Sequence, residues 1–157
     1  MIEPLPFLIR PVKDDEWAFT GIRSTWIRVD GLLHLEAGVL IIEWTETRTI
    51  QSFGFERTGT DIERFETEVI ELPVEWIAEV RTRLWFRGPQ LFLRARRLDA
   101  FDGLQTTGPA TLTLTIPFKY RRLLPPMVAG IEQARRAALA AGQVPTRGRF
   151  TEENRAR

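Results

Sequence analysis

The sequence predicts a mainly β domain, an antiparallel sandwich or barrel of six or seven strands capped by one C-terminal α-helix. Three observations carry this. Short runs of alternating apolar and polar residues, separated by turn residues, recur from Leu32 to Ile116. The spacing of apolar residues then becomes helical from Met127 to Ala141. At 157 residues the chain lies within the usual size of one domain and is long enough to bury a core.

Pro4, Pro6 and Pro11 bracket Phe7-Leu8-Ile9, which reads as an extended arm or edge strand because proline donates nothing to a ladder. Trp17 to Ile27 alternates poorly and reads as irregular, with a short strand around Thr25 to Arg28 closed by a turn at Asp30-Gly31. Residues 1–30 therefore form an N-terminal arm and irregular segment. Leu32 to Glu36 is a strand, Ala37-Gly38 a tight turn, and Val39 to Arg48 a longer strand burying Leu40, Ile42 and Trp44. Thr49 to Phe55 continues as strand, and Arg57 to Asp61 is a loop. A strand ends at Leu72-Pro73, and Val74-Glu75-Trp76 makes a corner.

Ile77 to Ala95 reads as a long hairpin turning at Arg87-Gly88-Pro89-Gln90. A four-residue connection places Phe86 opposite Leu91 and Leu84 opposite Leu93, facing inward with Val80. Leu98 to Pro109 is a loop. Thr111 to Ile116 has the cleanest alternation in the chain and buries Leu112, Leu114 and Ile116. Pro125-Pro126 fits a helix start. The helix turns Met127, Val128, Ile131, Ala134 and Ala138 inward, and Glu132, Arg135 and Arg136 outward. Residues 31–142 thus make the folded body, and polar residues 143–157 a disordered basic tail.

Composition narrows the chemistry. The chain has no cysteine and one histidine, His34, which excludes disulfides, thiolate catalysis, cysteine-based zinc sites and histidine-cluster metal sites; no cofactor is expected. Net charge is +1, so no global field points to nucleic acid. The start lacks a signal-peptide pattern and no apolar run reaches the roughly 20 residues of a spanning helix, so the expectation is a cytoplasmic protein. Arginine outnumbers lysine twenty to two, a composition expected of a GC-rich bacterial genome.

The runs GLLHLEAGVLIIEW (31–44) and VIELPVEWIAEVR (69–81), followed by the hairpin, TLTLTI and the terminal helix, resemble the bacterial pleckstrin-homology-like (PH-like) proteins. The match lies in the Leu72-Pro73 corner and in Ile77 opening the next strand. The resemblance implies a PH-like split barrel, mostly non-catalytic members, and assembly into rings by some of them.

The outward face of the hairpin is the main candidate surface. The expected register sets Arg83 opposite Arg94 and Arg81 opposite Arg96, four guanidinium groups that suit an anionic lipid head group or phosphate, unless Glu79 and neighbouring carboxylates neutralise them. Trp85 opposite Phe92 is a candidate protein interface, unless Phe7 and Ile9 cover it. His34 reads as a surface residue, and Asp99 and Asp102 as loop residues rather than an acid/base or metal pair. The functional expectation is a non-catalytic interaction or scaffolding module that binds a protein partner or itself. Anionic-ligand binding is the alternative, and a small-molecule carrier or enzyme with a barrel cavity is the third.

Overall fold

The computed structural model describes residues 2–54, 58–104 and 106–142. Its eight strands are β1 Leu5–Ala18, β2 Gly21–Glu36, β3 Val39–Gly54, β4 Gly59–Arg64, β5 Glu68–Pro73, β6 Ile77–Arg83, β7 Gln90–Ala95 and β8 Thr111–Thr115. One helix, α1 Leu124–Ala140, follows a 3-10 segment at Phe118–Leu123. All ladders are antiparallel, in the order β4-β3-β2-β1-β8-β7-β6, with β5 also on β3. The free edge of β3 is shared: β5 pairs with Val39 to Trp44 and β4 with Thr47 to Ser52. No ladder joins β5 to β6, so the sheet is open at that seam. Pro73 and a single 3-10 turn, Val74–Trp76, carry the chain across it. No described helix is long and apolar enough to cross a membrane.

Both ends of the strand order feed one core. Leu40, Ile42 and Leu72 from one side and Leu91, Leu93 and Leu112 from the other belong to a single buried cluster. The alternation of TLTLTI does what its period requires, and Leu112, Leu114 and Ile116 are completely buried. Met127 and Ile131 of α1 are buried in the same cluster. The helix is also fastened by a polar contact. A bulge at Ala78 interrupts the β6–β7 ladder, and the Arg135 guanidinium donates to the Ala78 carbonyl at 3.0 Å and to Glu132 at 2.8 Å. Arg135, expected to face solvent, therefore serves as a helix anchor; a bulge leaves backbone groups unpaired, and this carbonyl accepts from the helix instead.

The largest departure lies at the N-terminus. The segment expected to be an arm and an irregular stretch is two strands of 14 and 16 residues. β1 is interior, between β2 and β8, and Phe7 and Ile9 are buried in the core. It avoids the proline penalty with an irregularity between Ile9 and Val12, next to Pro11. Asp30-Gly31 is no turn but lies mid-strand in β2. Gly31 stands opposite Phe7, and a Cβ there would lie 2.4 Å from the Phe7 ring and 2.2 Å from the Glu43 carbonyl oxygen. The glycine makes room for an aromatic ring. The turn at Ala37-Gly38 is as expected, with both residues at positive φ between the paired Glu36 and Val39. Gly59 to Asp61, expected as loop, form part of β4. The tail from residue 143 lies outside the described residues.

β1, β2 and β3 outrun the body of the sheet. The β1–β8 ladder consists of one pair, Leu8 with Thr115, so Val12 to Ala18 have a partner on one side only. With Gly21 to Arg28, Thr45 to Gly54 and β4, they form a four-stranded arm projecting past the core.

Candidate interaction surfaces

The β6–β7 hairpin has a register different from the expected one. Glu79 pairs with Arg94, Arg81 with Phe92 and Arg83 with Gln90. The connection from β6 to β7 is six residues long, Leu84 to Pro89, and the bulge at Ala78 adds a further shift. Arg83 therefore does not oppose Arg94, nor Arg81 oppose Arg96, nor Trp85 oppose Phe92. Leu84 and Phe86 are 89% and 72% exposed, because they lie beyond the last paired residue of β6. The connecting loop instead folds onto the end of β8, where the Pro89 carbonyl accepts from the Ile116 amide at 2.8 Å and Gly88 is buried.

Arg81, Arg83 and Arg94 still share the outward face, since the register shift preserves parity. Glu79 stands between two of them, 2.7 Å from Arg81 and 3.3 Å from Arg94. Like charges on one face are thereby compensated. The Arg81 guanidinium also lies 4.5 Å above the Phe92 ring, and that of Arg83 lies 4.6 Å from Trp85. Among the described residues neither Arg83 nor Arg96 has a carboxylate within ion-pair distance. A groove of about 530 Å³ opens here, lined by Arg81, Thr82, Arg83, Gln90, Phe92, Thr107 and Thr113. Trp85 and Phe92 are half-buried by their own neighbours, not by Phe7 and Ile9.

The projecting arm carries the second surface, which alternation in the sequence did not disclose. Within the body, Val29 and Leu33 of β2 face the core. In the arm the exposed aromatic side chains lie on the opposite face. Trp17, Ile22 and Phe53 form one cross-strand row, and Lys13, Trp26, Thr49 and Ile62 another. Trp17, Phe53 and Ile62 are 77%, 56% and 69% exposed, and Phe19 in the β1–β2 turn is fully exposed. Between the rows lie Asp15, Ser24, Gln51 and Thr60. Ser24, although on this outer face, is buried and donates to Asp15 at 2.6 Å. That hydrogen bond, with the nearby Lys13 ammonium at 3.3 Å, holds the Asp15 carboxyl below the usual carboxylate range despite some opposing desolvation. The face towards the core side is mixed: Ile27 and the buried Ile50 lie among Asp14, Glu16, Arg23, Arg48 and Glu63.

Compared with family models, curated proteins and solved structures, the chain matches none of them.

The remaining candidates are quieter. Asp99 accepts from Arg97 at 2.7 Å, and this pairing lowers its pKa; it is an ion-pair partner in a loop. Asp102 sits in the same turn, its amide bonded to the Asp99 carbonyl at 3.3 Å. No group of three or more acidic or histidine side chains suited to a metal occurs among the described residues. His34 is half-buried on the outer face of β2, 3.6 Å from Glu43. The alternation Ile22, Ser24, Trp26 was the available signal for the arm. It was obscured because Val29 and Leu33 have the opposite parity, so a single strand reads as two incompatible patterns.

Proposed function

We propose that this chain is a non-catalytic interaction module of PH-like architecture whose partner-binding element is the four-stranded arm. The supporting architecture is the Leu72-Pro73 corner, Ile77 opening β6, and a terminal helix buried against the core, the features on which the family resemblance rests. The observation that carries the reading is the row Trp17–Ile22–Phe53, whose Trp17 and Phe53 are not covered by any of the described residues. Exposed aromatic side chains grouped on one face are costly to leave in water and are typical of the buried centre of protein interfaces. A photoreactive phenylalanine analogue placed at Gln51, between the aromatic rows, is expected to give polypeptide adducts on irradiation in the source cells. The same analogue at Arg136, on the exposed side of α1, is expected to give few. Absence of adducts from position 51 removes the reading.

A second reading, binding of an anionic lipid head group or phosphate ligand, rests on Arg83, which lines a groove with an amide and three threonines and has no carboxylate partner among the described residues. It expects salt-sensitive binding to vesicles containing anionic lipid, weakened at least about tenfold by Arg81→Ala with Arg83→Ala. Equal binding by the double variant and the wild type discards it.

A further inference from the structure

The arm also indicates what covers it. We infer that the outer face of the arm packs face to face against the same face of a second copy of this chain, about a two-fold axis near Ser24 and Gln51. The inference rests on the interaction-module reading and names its partner.

Three observations favour a second copy. The first is size. Eight residues of β2 at about 3.3 Å each and four strands at about 4.8 Å give a face of roughly 26 by 19 Å. Two such faces pressed together remove on the order of 1,000–1,500 Å² of accessible surface, which reaches the range of specific interfaces. The second is charge. Lys13 and Asp15, on an outer strand of the arm, are paired with each other, and Arg28 is paired with Asp30 at 3.0 Å, which leaves Arg64, beside Thr47 on the same face, without a carboxylate at ion-pair distance among the described residues. With most of its charges paired and this one cation at its margin, the face offers little attraction to phosphate or to an anionic bilayer, and little repulsion to its own image. The third is pattern. Rows that carry the apolar side chains flank one polar row, so a two-fold axis through the polar row brings the Trp17–Ile22–Phe53 row of one copy over the Lys13–Trp26–Thr49–Ile62 row of the other. Ser24, Gln51 and Thr60 then meet their own images, hydroxyl and amide against hydroxyl and amide, and at the end of the row the two Asp15 carboxylates meet, each held by its own Lys13 and Ser24. The result is an aligned sandwich of two sheets about 10 Å apart, each providing the layer that the other lacks. Because the same patch is used on both copies, the contact closes on itself and stops at a dimer.

The test uses the full chain. Light scattering on a size-exclusion column, over a concentration series, is expected to give a mass approaching twice 18.1 kDa for the wild type. Trp17→Ser with Phe53→Ser is expected to weaken self-association at least about tenfold, as loss of aromatic anchors does, with an unchanged far-ultraviolet circular dichroism spectrum. The chain has no cysteine, so Gln51→Cys provides a single thiol near the axis. It is expected to form an intermolecular disulfide under mild oxidation, whereas Arg136→Cys is not. A wild type that stays at 18.1 kDa at every concentration overturns the inference, and so does a dimer that survives the double substitution. If the wild type is monomeric while adducts from position 51 join another polypeptide, the second copy is wrong and the interaction module stands.

Discussion

Replacing Gly31 with alanine is expected to destabilise the protein by about 3 kcal/mol, near the upper end for overpacking in a close-packed interior. The new methyl would overlap two groups that cannot easily yield. One is the Glu43 carbonyl of β3, 2.2 Å away, which moves only if the β2–β3 ladder opens. The other is the Phe7 ring at 2.4 Å, which is almost completely buried and has no solvent to swing into. For a chain of this size a loss of that magnitude lowers the melting temperature by roughly 6–12 °C. Gly59→Ala is the control: nothing lies within 4 Å of its added Cβ, so its effect should stay within about 0.5 kcal/mol. Thermal and urea unfolding of both variants decides the matter. A Gly31→Ala loss no larger than that of Gly59→Ala would mean that the ring does not fill the glycine site.

The second large effect is expected at Arg135. Arg135→Met keeps the aliphatic length but removes the donors that reach Ala78 and Glu132. The freed carbonyl belongs to the bulged residue of β6, where the ladder offers it no substitute. Loss of a charge-assisted hydrogen bond to a partly buried acceptor is worth about 1.5–3 kcal/mol. Arg136→Met, one position along on the exposed side, should cost less than about 0.5 kcal/mol. If urea unfolding gives equal midpoints for the two variants, the contact to Ala78 contributes nothing and the helix is held by its buried apolar side, Leu124, Met127, Ile131 and Ala138.

Sequence pattern disclosed the fold wherever one side of an element meets one environment along its whole length. Leu40, Ile42 and Trp44 alternate with polar residues and are buried, as are Leu112, Leu114 and Ile116. Met127 and Ile131 keep helical spacing and are buried too. The pattern failed where a strand changes environment part-way. β2 is buried on its odd positions near Leu33 and apolar on its even positions near Trp26, so no single period fits its 16 residues. Pro6 and Pro11 made β1 resemble an edge, although its interior place in the sheet is reached by an irregularity in pairing. Asp30-Gly31 resembled a turn because glycine signals both a bend and a close approach, and only the position of Phe7 distinguishes the two.

The arginine cluster illustrates a different limit. The face on which Arg81, Arg83 and Arg94 stand follows from alternation and was legible. Which residue each one opposes depends on the length of the loop, which leaves no mark in the period of the strand. Glu79 was identified in the sequence as a possible neutralising carboxylate, and it does bridge Arg81 and Arg94. That leaves Arg83 as the informative member of the group.

The interior position of β1 has a consequence for how the chain is made. β1, β2 and β3 are joined by tight turns and can assemble as soon as they leave the ribosome. The other neighbour of β1 is β8, reached only at Thr115, so the ladder that joins the two parts of the sheet is among the last to form. Throughout synthesis of the residues between, the nascent meander holds an unpaired edge along Leu5 to Ile9, with half of its core unsupplied. This interval is the stage most exposed to misassembly between neighbouring nascent chains.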